Sequence, residues 1–141
     1  MKSVVQKIVL AGVVEYQKKI LIVQRSADED VFPNLWELPS GKRELFESSE
    51  DALVREIKEE VGLNIKPVSP FDVFDYKIEK EDEIRDSTQI SFLCKPINKP
   101  KVKLSGEHQN FTWISESEVG NYALSNKTKA IIKKAFNLFS K

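Results

Sequence analysis

Apolar residues run from Ile8 to Val14, broken only by Gly12, and again from Ile20 to Val23, with the polar tripeptide Gln17-Lys18-Lys19 between them. This pattern predicts two strands, Val5 to Tyr16 and Ile20 to Gln24, joined by a hairpin turn. A polar loop from Ser26 to Asn34 carries Pro33, and Leu35-Trp36-Glu37-Leu38-Pro39 leads out of it. The period then changes. Leu53, Val54, Ile57 and Val61 recur at helical spacing, while Glu56, Glu59 and Glu60 stand at i, i+3 and i+4 on an adjacent stripe. Ser48 with Asp51 three residues later supplies an N-cap and a near-capping box, and Gly62 sits at C′, so a helix is predicted from about Ser49 to Val61. Further on, Val68 to Ile78 alternates weakly, Glu79 to Ser87 reads as a charged turn, and Gln89 to Lys95 as a strand. Asn98 to Glu107 reads as a polar loop, Phe111 to Ile114 as a short strand, and Asn126 to Leu138 as a second amphipathic helix. The order predicts an α/β fold with a mixed sheet and two main helices.

Composition narrows this picture without redirecting it. A chain of 141 residues is long enough for one domain with a real core, and residues 1–141 are read as a single domain without repeat or linker. Hydrophobic content of 40% and charged content of 31% describe an ordinary globular protein. The formal net charge is zero, so no global field draws the chain to polymeric nucleic acid or to an anionic membrane. One cysteine and one histidine exclude an internal disulfide and a Cys/His zinc site. Cys94 lies in an apolar run and reads as a small core residue, and His108 reads as an incidental loop histidine beside Glu107. Ile8 to Val14 follows Lys2 and Lys7 but is short and leads into a second strand, so it reads as a strand and not a signal peptide; the chain is expected to be cytoplasmic.

The acidic stripe needs an explanation. Like charges at this spacing cost roughly 0.2–0.5 kcal/mol per pair, and Glu59 and Glu60 occupy the last turn, where the helix dipole disfavours anions. Arg55 is too little for three carboxylates, and its own neighbour is Glu47. The residues leave two readings, a solvated charged face or a face that binds a hard divalent cation. Mg²⁺ suits the second, because it keeps waters and needs only a few protein carboxylates. Mn²⁺ can take the same ligands.

The spacing as a whole resembles a known motif. Gly41, five residues, Glu47, seven residues, then Arg55-Glu56-Ile57-Lys58-Glu59-Glu60-Val61-Gly62-Leu63 is similar at every fixed position to the box of the Nudix hydrolases, spanning residues 41–63. The resemblance implies an α/β/α sandwich in which the box forms a loop-helix-loop. It implies hydrolysis within a nucleoside diphosphate linked to another group, with Gly41, Glu56, Glu59 and Glu60 as metal ligands and an Arg55–Glu47 salt bridge supporting them. The chain also resembles the MutT-like branch, because Glu107 stands six residues before Trp113. That makes Glu107 a candidate to activate water or join the metal site, with Glu59 as the competing base. Arg25 resembles a position that contacts substrate phosphate. Asn126 resembles a nucleobase-reading asparagine and is also a good N-cap for the last helix. Trp36, Phe74, Tyr76 and Phe92 are either core residues or a base-stacking surface.

Two departures stand out: Ser40-Gly41 where many relatives carry Gly-Gly, and Phe46 where they carry glycine, which is expected to alter the loop beside the cleft. Markers of the ADP-ribose and dinucleoside-polyphosphate branches are absent. The resemblance therefore implies a Mg²⁺-dependent pyrophosphohydrolase of nucleoside triphosphates, including oxidised purine nucleotides, releasing monophosphate and pyrophosphate. The alternatives are hydrolysis of ADP-ribose or another nucleoside diphosphate sugar, and a non-catalytic nucleotide sensor. The expected partner is a small nucleotide, with the protein a monomer or homodimer.

Overall fold

The computed structural model describes residues 2–140; Met1 and Lys141, the ends of the expected domain, lie outside the described residues. The strands are β1 (Ser3–Tyr16), β2 (Lys19–Arg25), β3 (Trp36–Glu37), β4 (Ser40–Lys42), β5 (Ile65–Glu79), β6 (Glu83–Pro96) and β7 (His108–Ile114), and the helices are α1 (Ser49–Val61) and α2 (Asn126–Phe139). A 3-10 helix at Glu116–Asn121, absent from the sequence reading, precedes α2.

The sheet is mixed and follows the order β3-β2-β1-β6-β5, with β4 pairing β1 and β7 pairing β2. Among the paired strands of the described residues only β1 and β6 run parallel, in register from Ser3↔Glu83 to Val14↔Cys94. Alternation along β1 and β2 divides the core in two. Leu10, Val14, Leu21 and Val23 face one way and pack with Leu53, Ile57 and Val61 of α1. Ala11, Val13, Ile20 and Ile22 face the other way and pack with Ile131, Ile132 and Phe136 of α2. This is the expected α/β/α layering, and it follows from the period-2 geometry of strands buried on both faces. Each fully buried aliphatic side chain contributes about 1.5–3 kcal/mol of burial. Cys94 is fully buried in the α1 cluster, and desolvation pushes its thiol up to about 12, so it is inert core.

Local signals set the turns and the ends of α1. In the β1–β2 hairpin Gln17 and Lys18 have φ of 52° and 65°, the two left-handed positions of a type I′ turn, and the Lys18 N–H donates to Glu15 Oε1 at 2.9 Å. Ser48 accepts the Asp51 N–H at 3.1 Å, and Gly62, at φ 71°, donates its N–H to the Lys58 carbonyl at 3.0 Å. A Cβ at Gly62 would also sit 3.1 Å from Lys103 Cβ. Gly62→Ala is therefore expected to lower stability by about 1–2 kcal/mol, measured by urea denaturation; an unchanged midpoint would mean that the cap is not strained.

Three further elements differ from the sequence reading. The charged segment is not a turn over Glu79 to Ser87: only residues 80–82 turn, and β6 begins at Glu83. Its pairs, including Lys77↔Asp86 and Glu79↔Ile84, form a solvated ribbon held on its far side by the amino-terminal part of β1. Strand β7 begins at His108 and not Phe111, because a bulge between Gln24 and Arg25 extends its pairing to Arg25↔His108. The N-cap of α2 is Ser125, which accepts the Thr128 N–H at 3.1 Å, so Asn126 is the first helical residue and not the cap.

Candidate active site

The site forms where β4 lies between β1 and α1. Pairing of Leu10 with Gly41 presses the β4 backbone against the helix, and a Cβ on Gly41 would fall on the Glu56 carboxyl group. The next N–H back along the chain, that of Ser40, donates to Glu60 Oε2 at 3.2 Å. Two helix carboxylates are thereby held against one extended piece of backbone.

The expected Arg55–Glu47 salt bridge is present and bidentate, Nε to Oε2 at 2.8 Å and Nη2 to Oε1 at 2.9 Å. The same guanidinium reaches Glu56 Oε1 at 2.8 Å, Glu59 Oε2 at 3.3 Å and the Lys42 carbonyl at 3.1 Å. Its hydrogen bonds hold the Glu47 carboxyl at about 2 and push the Arg55 pKa further up. Arg55 thus binds the box loop to the helix and neutralises part of Glu56 and Glu59.

Glu60 is left over. The sequence places it on an acidic stripe adjacent to the apolar one; in the fold it is only 6% exposed, with Ser40 of β4 and His108 of β7 against its carboxyl. No Lys or Arg pairs with it among the described residues. Burial first, and then the charges of Glu37, Glu107 and Glu56, push its carboxyl up to about 9. Burial also raises Glu56, against the opposing pull of Arg55. A deep carboxyl with acidic neighbours and no cationic side chain to stabilise its ionised form is a donor set that fits a hard divalent ion. Among the described residues no three acidic, imidazole or thiol groups converge closely enough to cage an ion by themselves. Mg²⁺ matches such an open set, since water and phosphate complete its shell.

An open cavity of about 780 Å³ adjoins these groups and is lined by Arg25, Gly41, Glu56 and Glu107 among others. Glu107 is exposed at its rim, close enough for its charge to reach both Glu56 and Glu60. Glu59, whose side chain is 59% exposed, does not line the cavity. The Arg25 Nε donates to the Val31 carbonyl at 2.9 Å, and its guanidinium faces Glu29 at 3.5 Å and Glu37 at 3.4 Å. Trp36, Phe74 and Tyr76 line the cavity, the last two stacked with centroids 5.2 Å apart, while Phe92 belongs to the core. Asn126 is exposed and outside the lining set, although Ser125, Lys127 and Thr128 beside it belong to that set. Phe46 is fully exposed at φ 64°, a conformation that favours glycine, and it does not line the cavity.

Two residues escaped the sequence reading. His108 is not an incidental loop residue but lies 7% exposed at the start of β7, with Nε2 3.0 Å from Glu37 Oε2 and Nδ1 3.4 Å from Glu60 Oε1. Glu37, on β3, receives both this ring and Arg25 on a single carboxylate oxygen. No spacing rule links these positions, because β2, β3 and β7 bring them together through pairing alone.

Comparison with known proteins agrees with this geometry. The NUDIX domain sequence model matches residues 6–136. The chain belongs to the Nudix family. As a Nudix hydrolase it acts on pyrophosphate bonds, and enzymes of this family generally use divalent metal ions. The Nudix chain is 27% identical over 136 residues to a protein named nucleoside triphosphatase NudI from Escherichia coli, covering 91% of this chain and 95% of that one. Among solved structures, the solution structure of the E. coli ORF135 protein matches with a TM-score of 0.69 and 28% identity, over 99% of this chain and 92% of that one. The crystal structure of a MutT protein from Methanosarcina mazei Go1 matches with a TM-score of 0.73 and 22% identity, over 99% and 97% of the two chains, a likeness of fold. No helix among the described residues is long and apolar enough to cross a membrane.

Proposed function

We propose that this Nudix protein is a Mg²⁺-dependent nucleoside triphosphate pyrophosphohydrolase that releases nucleoside monophosphate and pyrophosphate. The observation that carries the reading is the buried Glu60 carboxyl, without a protein counter-cation, behind Glu56 and Gly41, which line an open cavity of about 780 Å³. The nearly full-length similarity to a protein named nucleoside triphosphatase supports the substrate class. When bound, a divalent cation neutralises phosphate charge and makes the bridge susceptible to water. Glu56, Glu59, Glu60 and the Gly41 carbonyl hold it, while Arg55 and Glu47 keep the box loop and helix in register. Glu107, exposed at the rim, takes the proton of the attacking water. Arg25 meets the substrate phosphates, and Asn126, free of capping duty, stands beside the cavity to read the base. The reading extends to oxidised purine nucleotides and clearance of damaged nucleotides from the cytoplasm, by a single-domain protein acting as monomer or homodimer without nucleic-acid or membrane partners.

A substrate panel in Mg²⁺ tests this, comparing ordinary and oxidised nucleoside triphosphates with ADP-ribose and nucleotide sugars by kcat/KM. Triphosphates should lead; a tenfold lead by a sugar-linked diphosphate, about 1.4 kcal/mol in transition-state binding, would overturn the assignment. In the same assay Glu107→Gln should lower kcat by about 10²–10⁴-fold, and an unchanged kcat would remove Glu107 as the base and leave Glu59. Asn126→Ala should weaken some bases more than others, since no cap is lost; a uniform loss would remove Asn126 from base recognition.

A further inference from the structure

His108 has no place in the reaction described above, yet it is among the least exposed polar side chains of the site. Its side chain is 2% exposed, and its Nδ1 is a buried ring nitrogen without a hydrogen-bond partner, 3.4 Å from Glu60 Oε1. The other ring nitrogen is anchored 3.0 Å from Glu37 Oε2, an oxygen that also faces the Arg25 guanidinium at 3.4 Å. Glu60 is in turn fixed on its second oxygen by the Ser40 N–H at 3.2 Å. The carboxylate therefore has a backbone donor on one side and an imidazole on the other. The ring separates Glu60 from Glu37, whose charge already acts on it. Each contact comes from a different strand: Ser40 from β4, His108 from β7 and Glu37 from β3. A ring held at one nitrogen and aimed at a ligating carboxylate with the other is the arrangement by which outer groups orient metal ligands.

We propose that His108, anchored by Glu37, is a positioning residue that sets the orientation of the Glu60 carboxylate for the divalent cation. The inference rests on Glu60 as a cation ligand. Without the imidazole, Glu60 keeps only the Ser40 contact on Oε2, its Oε1 is free to turn, and nothing separates it from Glu37. Affinity for the cation falls, because the ligand must be ordered at the moment of binding. The chemical groups that meet substrate are untouched.

The two ring nitrogens can be separated by substitution. In His108→Asn the side-chain amide nitrogen occupies the place of Nδ1 and faces Glu60; in His108→Gln it occupies the place of Nε2 and faces Glu37. His108→Ala has neither. Mn²⁺ binding to the substrate-free full-length protein, followed by electron paramagnetic resonance, should weaken by about 10–100-fold in His108→Ala and His108→Gln and recover to within about threefold in His108→Asn. The Mg²⁺ concentration for half-maximal turnover should rise in parallel, with kcat at saturating Mg²⁺ within about threefold of the unsubstituted enzyme. Far-ultraviolet circular dichroism identifies any variant that has failed to fold, and the Asn and Gln pair decides the matter if His108→Ala does. Equal Mn²⁺ affinity in Asn and Gln variants, or a loss of kcat with unchanged metal affinity, would overturn the inference. Glu60→Gln is the control for the reading beneath it. If that variant binds Mn²⁺ as tightly as the unsubstituted chain, Glu60 is not a ligand and the metal reading itself fails. If Glu60→Gln loses Mn²⁺ and all His108 variants keep it, only the role of His108 is wrong.

Discussion

Glu60→Gln should make the metal-free protein more stable and the enzyme nearly inactive. The folded Glu60 carboxyl titrates near 9, against an ordinary value of 4.5. Between those pH values the folded chain keeps a proton that the unfolded chain has released, so this group's contribution to stability falls as pH rises from about 4.5 to about 9. At pH 7 the cost is about 3 kcal/mol, an order-of-magnitude figure built from the shift at about 1.4 kcal/mol per pH unit. A glutamine keeps an oxygen for the Ser40 N–H and carries no charge to desolvate, so the cost disappears. In EDTA at pH 7 the variant should melt several degrees higher, and its advantage should shrink towards pH 5. Added Mg²⁺ should stabilise the unsubstituted protein and leave the variant unchanged. Turnover in the variant should fall by about 10²–10³-fold or more, because a centre that stabilises phosphate charge has lost its ligand. Calorimetric melting in EDTA and in Mg²⁺, beside steady-state turnover, checks both halves. A variant that melts lower in EDTA, or that retains most of its turnover, would show that Glu60 is a structural acid.

The second large effect belongs to Gly41→Ala, and it separates function from stability. The added methyl would occupy the place of the Glu56 carboxyl group, the far end of a flexible side chain. The carboxyl can swing aside while β4 stays paired to β1, so the folding cost should be about 1 kcal/mol or less. The displaced carboxylate no longer meets the cation beside the Gly41 carbonyl, and misplacement of a reacting constellation by about 1 Å costs on the order of 10²-fold in rate. Urea denaturation should show a midpoint close to that of the unsubstituted chain, while kcat drops about a hundredfold. A large loss of stability would place the strain in the β4 backbone, and unchanged kcat would show that Glu56 and Gly41 need not lie this close.

The loss in Glu60→Gln could not be sized from the sequence, although Glu60 itself was found there. Helical spacing groups Glu56, Glu59 and Glu60 on one stripe, which is correct for an isolated helix. The fold then gives them three environments: Glu59 largely exposed and tied to Arg55, Glu56 half-buried against Gly41, and Glu60 buried beneath β4 and β7. Helix geometry fixes directions from the axis but not what covers each direction, and it is the cover that decides solvation and charge.

What the sequence determined by itself was everything that local chemistry specifies. The bounds of α1 follow from Ser48 and Gly62 because capping is a contact between near neighbours in the chain. The buried strands follow from period and apolar runs, and the box follows from fixed spacing. Tertiary structure decided the rest. Whether Ser125 or Asn126 caps α2 depends on backbone register between two residues of equal capping ability. The β5–β6 ribbon extends through a charged segment because β1 pairs with it from a distance in sequence, and charge along a solvated ribbon gives no periodic signal. His108 became part of the site because Glu37, 71 residues away, and Glu60 meet it across paired strands, and a lone histidine carries no mark of partners that only folding supplies.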